Sequence, residues 1–102
     1  MTGDTSTLDL IEPYFPAQDG FGFDERDEIE EALDSALRRL ALGDVCGSGA
    51  GLGFLDLAIA VDEGVGHERE RVIAAVLETV RALHFPASSY LLAYPGSERV
   101  PL

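Results

Sequence analysis

The chain has 102 residues, nineteen carboxylates against seven arginines with no lysine, and a formal charge of −12. A field of that sign repels nucleic acid and anionic membrane and draws in basic surfaces, so neither nucleic acid nor membrane is an expected partner. The length is that of one domain over residues 1–102, and the 46% apolar content suffices for one core.

No stretch approaches the roughly 20 apolar residues that span a bilayer. The start, Met1-Thr2-Gly3-Asp4, lacks the basic and apolar regions of a signal peptide. Cys46 is the sole cysteine, so no internal disulfide can form. These features together lead to the expectation of a reducing compartment, most simply a cytoplasm.

Residues 1–6 are polar and expected to fray. A first strand is expected over Thr7–Glu12, with Leu8 and Leu10 on one face and Asp9 on the other. Pro13 should end it or mark it as an edge strand. Residues 13–23 then read as a loop carrying Tyr14, Phe15, Phe21 and Phe23. Apolar residues in a loop either fold back on the core or form a binding patch, and the first is the more economical expectation.

The spacing of Ile29, Ala32, Leu33, Ala36, Leu37, Leu40 and Ala41 predicts a helix over 25–42 with one apolar stripe. Asp24 suits its N-cap, Arg38 and Arg39 suit its end, and Gly43 can close it in a left-handed conformation. The pattern then changes to period 2. Leu55, Leu57, Ile59 and Val61 alternate with Asp56, Ala58, Ala60 and Asp62, which predicts a strand with one buried face. The glycine run Gly47–Gly53 that precedes it reads as a β-hairpin linking Asp44-Val45-Cys46 to that strand. A second helix follows over 67–84 on Val72, Ile73, Val76, Leu77, Val80 and Leu83, with His84 at its C-terminal end. A last strand, Ser89–Tyr94, should stop at Pro95-Gly96. The order β-α-β-β-α-β predicts an α+β, ferredoxin-like domain, an antiparallel sheet with both helices on one face.

The glycine run does not fit a phosphate cradle. A dinucleotide fingerprint needs G-x-G-x-x-G opening a helix, yet Leu52 stands where the third glycine belongs and a strand follows. Ser48 lacks the flanking glycines and following helix of a nucleophile elbow. Cys46 has no basic neighbour in sequence to activate it and reads as a small apolar filler. His67 and Glu70 share a helix face near Asp62, Glu63 and Glu68, but acids in a first helical turn are expected from the macrodipole alone. No second histidine lies at ligand spacing. No catalytic, cofactor or metal residues are therefore assigned.

Eight carboxylates fall between Asp19 and Asp34, opposed only by Arg26. The helix N-terminus accounts for Asp24, Glu25, Asp27 and Glu28 but not for Glu30, Glu31 and Asp34. Asp27/Glu31 and Glu30/Asp34 are repulsive i,i+4 pairs, each costing roughly 0.2–0.5 kcal/mol. Only Asp34/Arg38 is favourable at that spacing. Asp27, Glu28, Glu30, Glu31 and Asp34, with Phe21 and Phe23 as aromatic anchors, form the candidate surface for a basic protein partner. In size and charge, though in no motif, the chain resembles bacterial immunity proteins, which neutralise a toxin by covering a basic active-site surface. The competing expectation is a regulatory ligand site or small enzyme on the sheet face, built from the glycine hairpin, Tyr90, Tyr94 and Asp56. A homodimer through the sheet's open face or edge fits either.

Overall fold

The computed structural model describes residues 7–96 and 98–102; the fraying expected of residues 1–6 lies outside them. The elements are β1 (Leu10–Pro16), α1 (Phe23–Arg39), β2 (Gly43–Gly51), β3 (Phe54–Val61), a single 3-10 turn (Glu63–Val65), α2 (Arg69–Arg81), β4 (Tyr90–Tyr94) and β5 (Glu98–Pro101). All strand pairs are antiparallel, in the order β2-β3-β1-β4-β5. The class is thus α+β with two helices. The exact ferredoxin-like arrangement is not matched, because a fifth strand extends the sheet. Pro95-Gly96 turns the chain rather than ending the sheet: Gly96 takes φ +100, and β5 returns along β4 with Leu92 opposite Arg99.

One core joins the helices to one face of the sheet. Ile29, Leu33 and Leu37 of α1 and Val72, Val76 and Val80 of α2 pack with Ile11, Phe15, Leu55, Leu57, Ile59, Leu91 and Ala93. The alternation expected for β3 holds at Leu55, Leu57 and Ile59, which are buried while Asp56, Ala58 and Ala60 are only half-buried. The expectation for β1 needs correction. The strand runs through Pro13, which is buried in the middle of a central strand, and Ile11 rather than Leu10 faces the core. Proline lacks an N–H, so a central position costs a ladder bond. Here the registered pairing of β1 with β3 skips Glu12 and Pro13, whereas the pairing with β4 runs unbroken through Pro13 and Leu91.

Both ends of α1 differ from the sequence reading. Gly22, not Asp24, is the N-cap, and the Glu25 carboxylate accepts its backbone N–H at 2.8 Å. At the other end Ala41, not Gly43, takes the left-handed conformation, at φ 57. The N–H of Leu42 bonds the Leu37 carbonyl and that of Ala41 bonds the Arg38 carbonyl, which is a Schellman closure. Leu40 and Ala41 accordingly leave the apolar stripe and are exposed. Gly43 is required for another reason: a Cβ there would stand 2.2 Å from the Ala60 carbonyl oxygen on β3.

The glycine run does form a hairpin, but most of it is strand. Residues through Gly51 pair with β3, and Leu52-Gly53 make the two-residue turn with φ 55 and 83. Two positive φ values define the turn whose twist matches a hairpin, and leucine is an uncommon first residue for it. Leu52 is fully exposed at its tip. The register slips between Val45 and Gly47, leaving Cys46 as the bulged residue. Its thiol is exposed, not the buried filler that was expected. Helix α2 is shorter than expected and His84 lies beyond its end, 6.5 Å from the Phe21 ring.

Candidate functional site

The acidic residues of α1 open onto a groove where the helix meets edge strand β2. Asp27, Glu30, Glu31 and Asp34 line it together with Arg38 and Val45, enclosing about 350 Å³. Four of the five acids expected at the surface thus come together, while Glu28 is exposed outside the lining. The four are not equivalent. Asp27 holds the Arg26 guanidinium at 3.1 Å. Asp34 accepts the Val45 backbone N–H at 2.9 Å and the Arg38 Nε–H at 2.9 Å. The Val45 bond, followed by the Arg38 contact, holds the Asp34 carboxyl below the usual carboxylate range. Glu30 and Glu31 form no salt bridge among the described residues.

Arg26 is the interior member of this neighbourhood. It is largely buried, donates from Nη1 to the Gly49 carbonyl at 3.0 Å and sits 4.9 Å from the Phe23 ring centre. Arg26 and Asp34 therefore reach the backbone of β2 at two points, Gly49 and Val45. Edge strands carry unpaired backbone groups that invite pairing with other chains, and side chains laid on them blunt that tendency. The two aromatic anchors separate. Phe23 is 58% exposed beside Arg26, but Phe21 is 1% exposed and packs on Phe15 with ring centres 5.2 Å apart. Phe21 is corrected to a core residue: it folds back because its ring finds Phe15 on the buried face of β1. Tyr14 and Phe15, placed in the same loop by sequence, belong to β1 and point to opposite faces.

The sheet face that no element among the described residues covers carries a second cluster. Tyr14 stacks on Tyr90 at 5.4 Å, and Phe54 meets both rings edge-on at 6.4 and 6.0 Å. The Tyr14 hydroxyl donates to Glu12 at 2.9 Å, and the Arg99 guanidinium lies 3.9 Å above the Tyr90 ring. Asp56 lies over the glycine strand: a Cβ on Gly49 would stand 3.0 Å from its Oδ1. Burial and then the nearby Glu12 charge raise the Asp56 carboxyl, with Arg26 opposing. Burial and Glu12 likewise raise the phenols of Tyr14 and Tyr94. Tyr90, Tyr94 and Asp56, named from the sequence, do share this face. Glu12, Tyr14, Phe54, Leu92 and Arg99 were missed. The alternation Leu10, Glu12, Tyr14 continued through Pro13 was the signal that would have found the first two.

The remaining expectations concern chemistry. His67 is exposed and stands 4.0 Å from Glu68, and among the described residues no group of three or more His, Cys, Asp and Glu is gathered as a metal site. Ser48 and Cys46 both lie on β2, not on a strand-to-helix turn. No helix among the described residues is long and apolar enough to cross a membrane. No family model matches this chain, and no curated protein or solved structure matches it either.

Proposed function

We propose that this protein is a non-enzymatic binding module that engages a basic protein through the groove between α1 and β2. The observation that carries the reading is that Glu30 and Glu31, two acids the helix N-terminus does not require, line one groove with Asp27 and Asp34 while forming no salt bridge among the described residues. Their mutual repulsion costs the free protein stability, and a cationic partner would relieve it. Phe23, exposed beside Arg26, supplies an aromatic contact at one end of the same helix. The reading places β1, α1, β2, β3, α2 and β4 in the split β-α-β, ferredoxin-like class, with β5 added at an edge. A toxin whose basic active surface is covered in a reducing cytoplasm is the kind of partner that fits.

Capture of a basic protein by the parent chain, followed by binding kinetics on that pair, tests the proposal. The on-rate is expected to fall at least tenfold between low and high salt, because steering of exposed charges is screened within about 10 Å at 0.1 M salt. Glu30→Lys and Glu31→Lys should each slow association, while Glu78→Lys on the exposed side of α2 should not. Equal rates for all three variants would remove the groove from the interaction.

A second reading draws on the uncovered face, where Asp56, Tyr90 and Tyr94 lie with Tyr14 and Phe54. These groups would hold a small ligand carrying a cationic or hydrogen-bonding group. Perturbation of the tyrosine fluorescence by such a ligand, lost in Asp56→Asn, would favour it over the groove.

A further inference from the structure

The uncovered face is nearly free of the charge that dominates the rest of the chain. Strands β1, β3 and β4 present only two of the nineteen carboxylates on it, Glu12 and Asp56; at the β2 edge Asp44, opposite Ala60, is held by Arg38 at 3.3 Å, and Arg99 of β5 stands at the other edge. The other groups on the face are apolar or aromatic, among them Tyr14, Phe54, Ala58, Tyr90, Leu92 and Tyr94, all half-buried. A basic partner is drawn to α1 by the field. Two copies of a chain with charge −12 repel each other, and a face with so few carboxylates is one across which that repulsion is weakest.

The face is also uneven in a self-complementary way. On the β2 side Gly47 stands opposite Ala58, which leaves a shallow recess, and the Asp56 carboxylate lies over Gly49 beside it. On the β5 side Arg99 rises over Tyr90, opposite Leu92. The registers place Gly47, Ala58, Glu12, Leu92 and Arg99 along one row across the sheet. A two-fold axis along β1 turns that row onto itself, bringing Arg99 of each copy over the glycine recess of the other, next to its Asp56. Such isologous pairing is the commonest form of self-association.

From this self-complementarity we infer that a second copy of the same chain occupies the open sheet face, forming a reversible two-fold dimer held by aromatic packing and reciprocal Arg99–Asp56 pairs. The size of the face sets its strength. Five strands about 4.8 Å apart and four to nine residues long cover roughly 400–600 Å². A standard interface uses about 800 Å² per partner, so the dimer is expected to dissociate in the micromolar range. The same axis brings the two Glu12 carboxylates together at the centre, where each already accepts a Tyr14 hydroxyl. Their repulsion limits affinity. The dimer leaves α1 and its groove free, so it stands whether or not the proposed binding function does.

Sedimentation of the full chain over a concentration series at fixed salt tests this, with circular dichroism confirming that each variant is folded. The parent is expected to pass reversibly from monomer to dimer. Arg99→Glu and Asp56→Arg should each weaken association at least tenfold by placing like charges across the interface. An equimolar mixture of the two should recover the dimer, since each then meets the opposite charge. Glu12→Gln should tighten it several-fold by removing the central repulsion. If Asp56→Arg does not fold, the opposite shifts of Arg99→Glu and Glu12→Gln decide the matter. A parent that stays monomeric at every concentration overturns the inference. So does a dimer indifferent to Arg99→Glu, a mixture of folded variants that stays monomeric, or a dimer dissolved by Glu31→Lys.

Discussion

At Ala41 a residue with a Cβ occupies the left-handed position of a Schellman closure, which normally belongs to glycine. The Cβ crowds its own carbonyl there, at roughly 1–2 kcal/mol for an L residue, partly offset by the backbone freedom that glycine loses on folding. Ala41→Gly is therefore expected to stabilise the protein by about 0.5–1 kcal/mol, read as a rise in the denaturation midpoint. Asp34 is the other residue whose local partners decide its role. Because the Val45 N–H and Arg38 hold it ionised, its folded-state titration lies below the unfolded one. The stability it contributes is complete above the unfolded carboxylate value, about pH 4, and disappears as pH falls through the lower folded value. Asp34→Asn should lower the melting temperature at pH 7 and converge on the parent in acid. That makes Asp34 a poor site for testing partner binding, which is why Glu30 and Glu31 serve instead. Asp56 has the opposite sign. Its folded value is raised, so ionisation at neutral pH costs stability that returns as pH falls. Asp56→Asn, measured at a concentration too dilute for self-association, should melt above the parent at pH 7, with the gain vanishing below about pH 4.

Helix α1 performs two tasks with one sequence. Its apolar stripe at Ile29, Leu33 and Leu37 buries against the sheet, and its flank carries Arg26 and Asp34 to the backbone of β2. The edge strand needs that support, since Gly47, Gly49 and Gly51 contribute no side chains to packing and strand glycines carry an entropic cost. Arg26→Ala would free the Gly49 carbonyl and remove the contact with Phe23. A charge-assisted hydrogen bond of this kind is worth about 1.5–3 kcal/mol, so a loss of about 2 kcal/mol is expected in equilibrium unfolding. Faster hydrogen exchange should be confined to the Gly43–Gly51 strand, because α1 keeps its core contacts. A uniform increase across the sheet would mean that Arg26 supports the whole fold rather than this edge.

For the whole molecule, the distribution of charge matters more than its sum. Acids crowd the α1 side, where the groove faces solvent, and thin out on the strands of the open face. The two surfaces thus differ in what they attract: one draws cations from a distance, and the other can approach a neutral or like-charged surface closely. Added salt should accordingly slow any basic partner at the groove while easing the approach of two copies at the sheet.

The sequence by itself determined the elements that depend on short-range pattern. Both helices, the period-2 strand from Phe54, the hairpin and the acidic stretch of α1 follow from spacings of two to four residues, which the backbone geometry imposes locally. It also put Tyr90, Tyr94 and Asp56 forward as members of one sheet face. Only the tertiary structure decided the remainder. Pro13 sits in a central strand because the pairing with β3 skips its position while β4 pairs through it. Phe21 is core because Phe15 lies beneath it, and Asp34 is partly structural because Val45 presents an N–H eleven residues away. The open face depends on register: Glu12 reaches Arg99 by way of Leu92, through pairings of β1 with β4 and β4 with β5 that span most of the chain. Periodicity can say that a residue faces outward, but which outward residues become neighbours is fixed by strand order, and strand order is a property of the packed molecule.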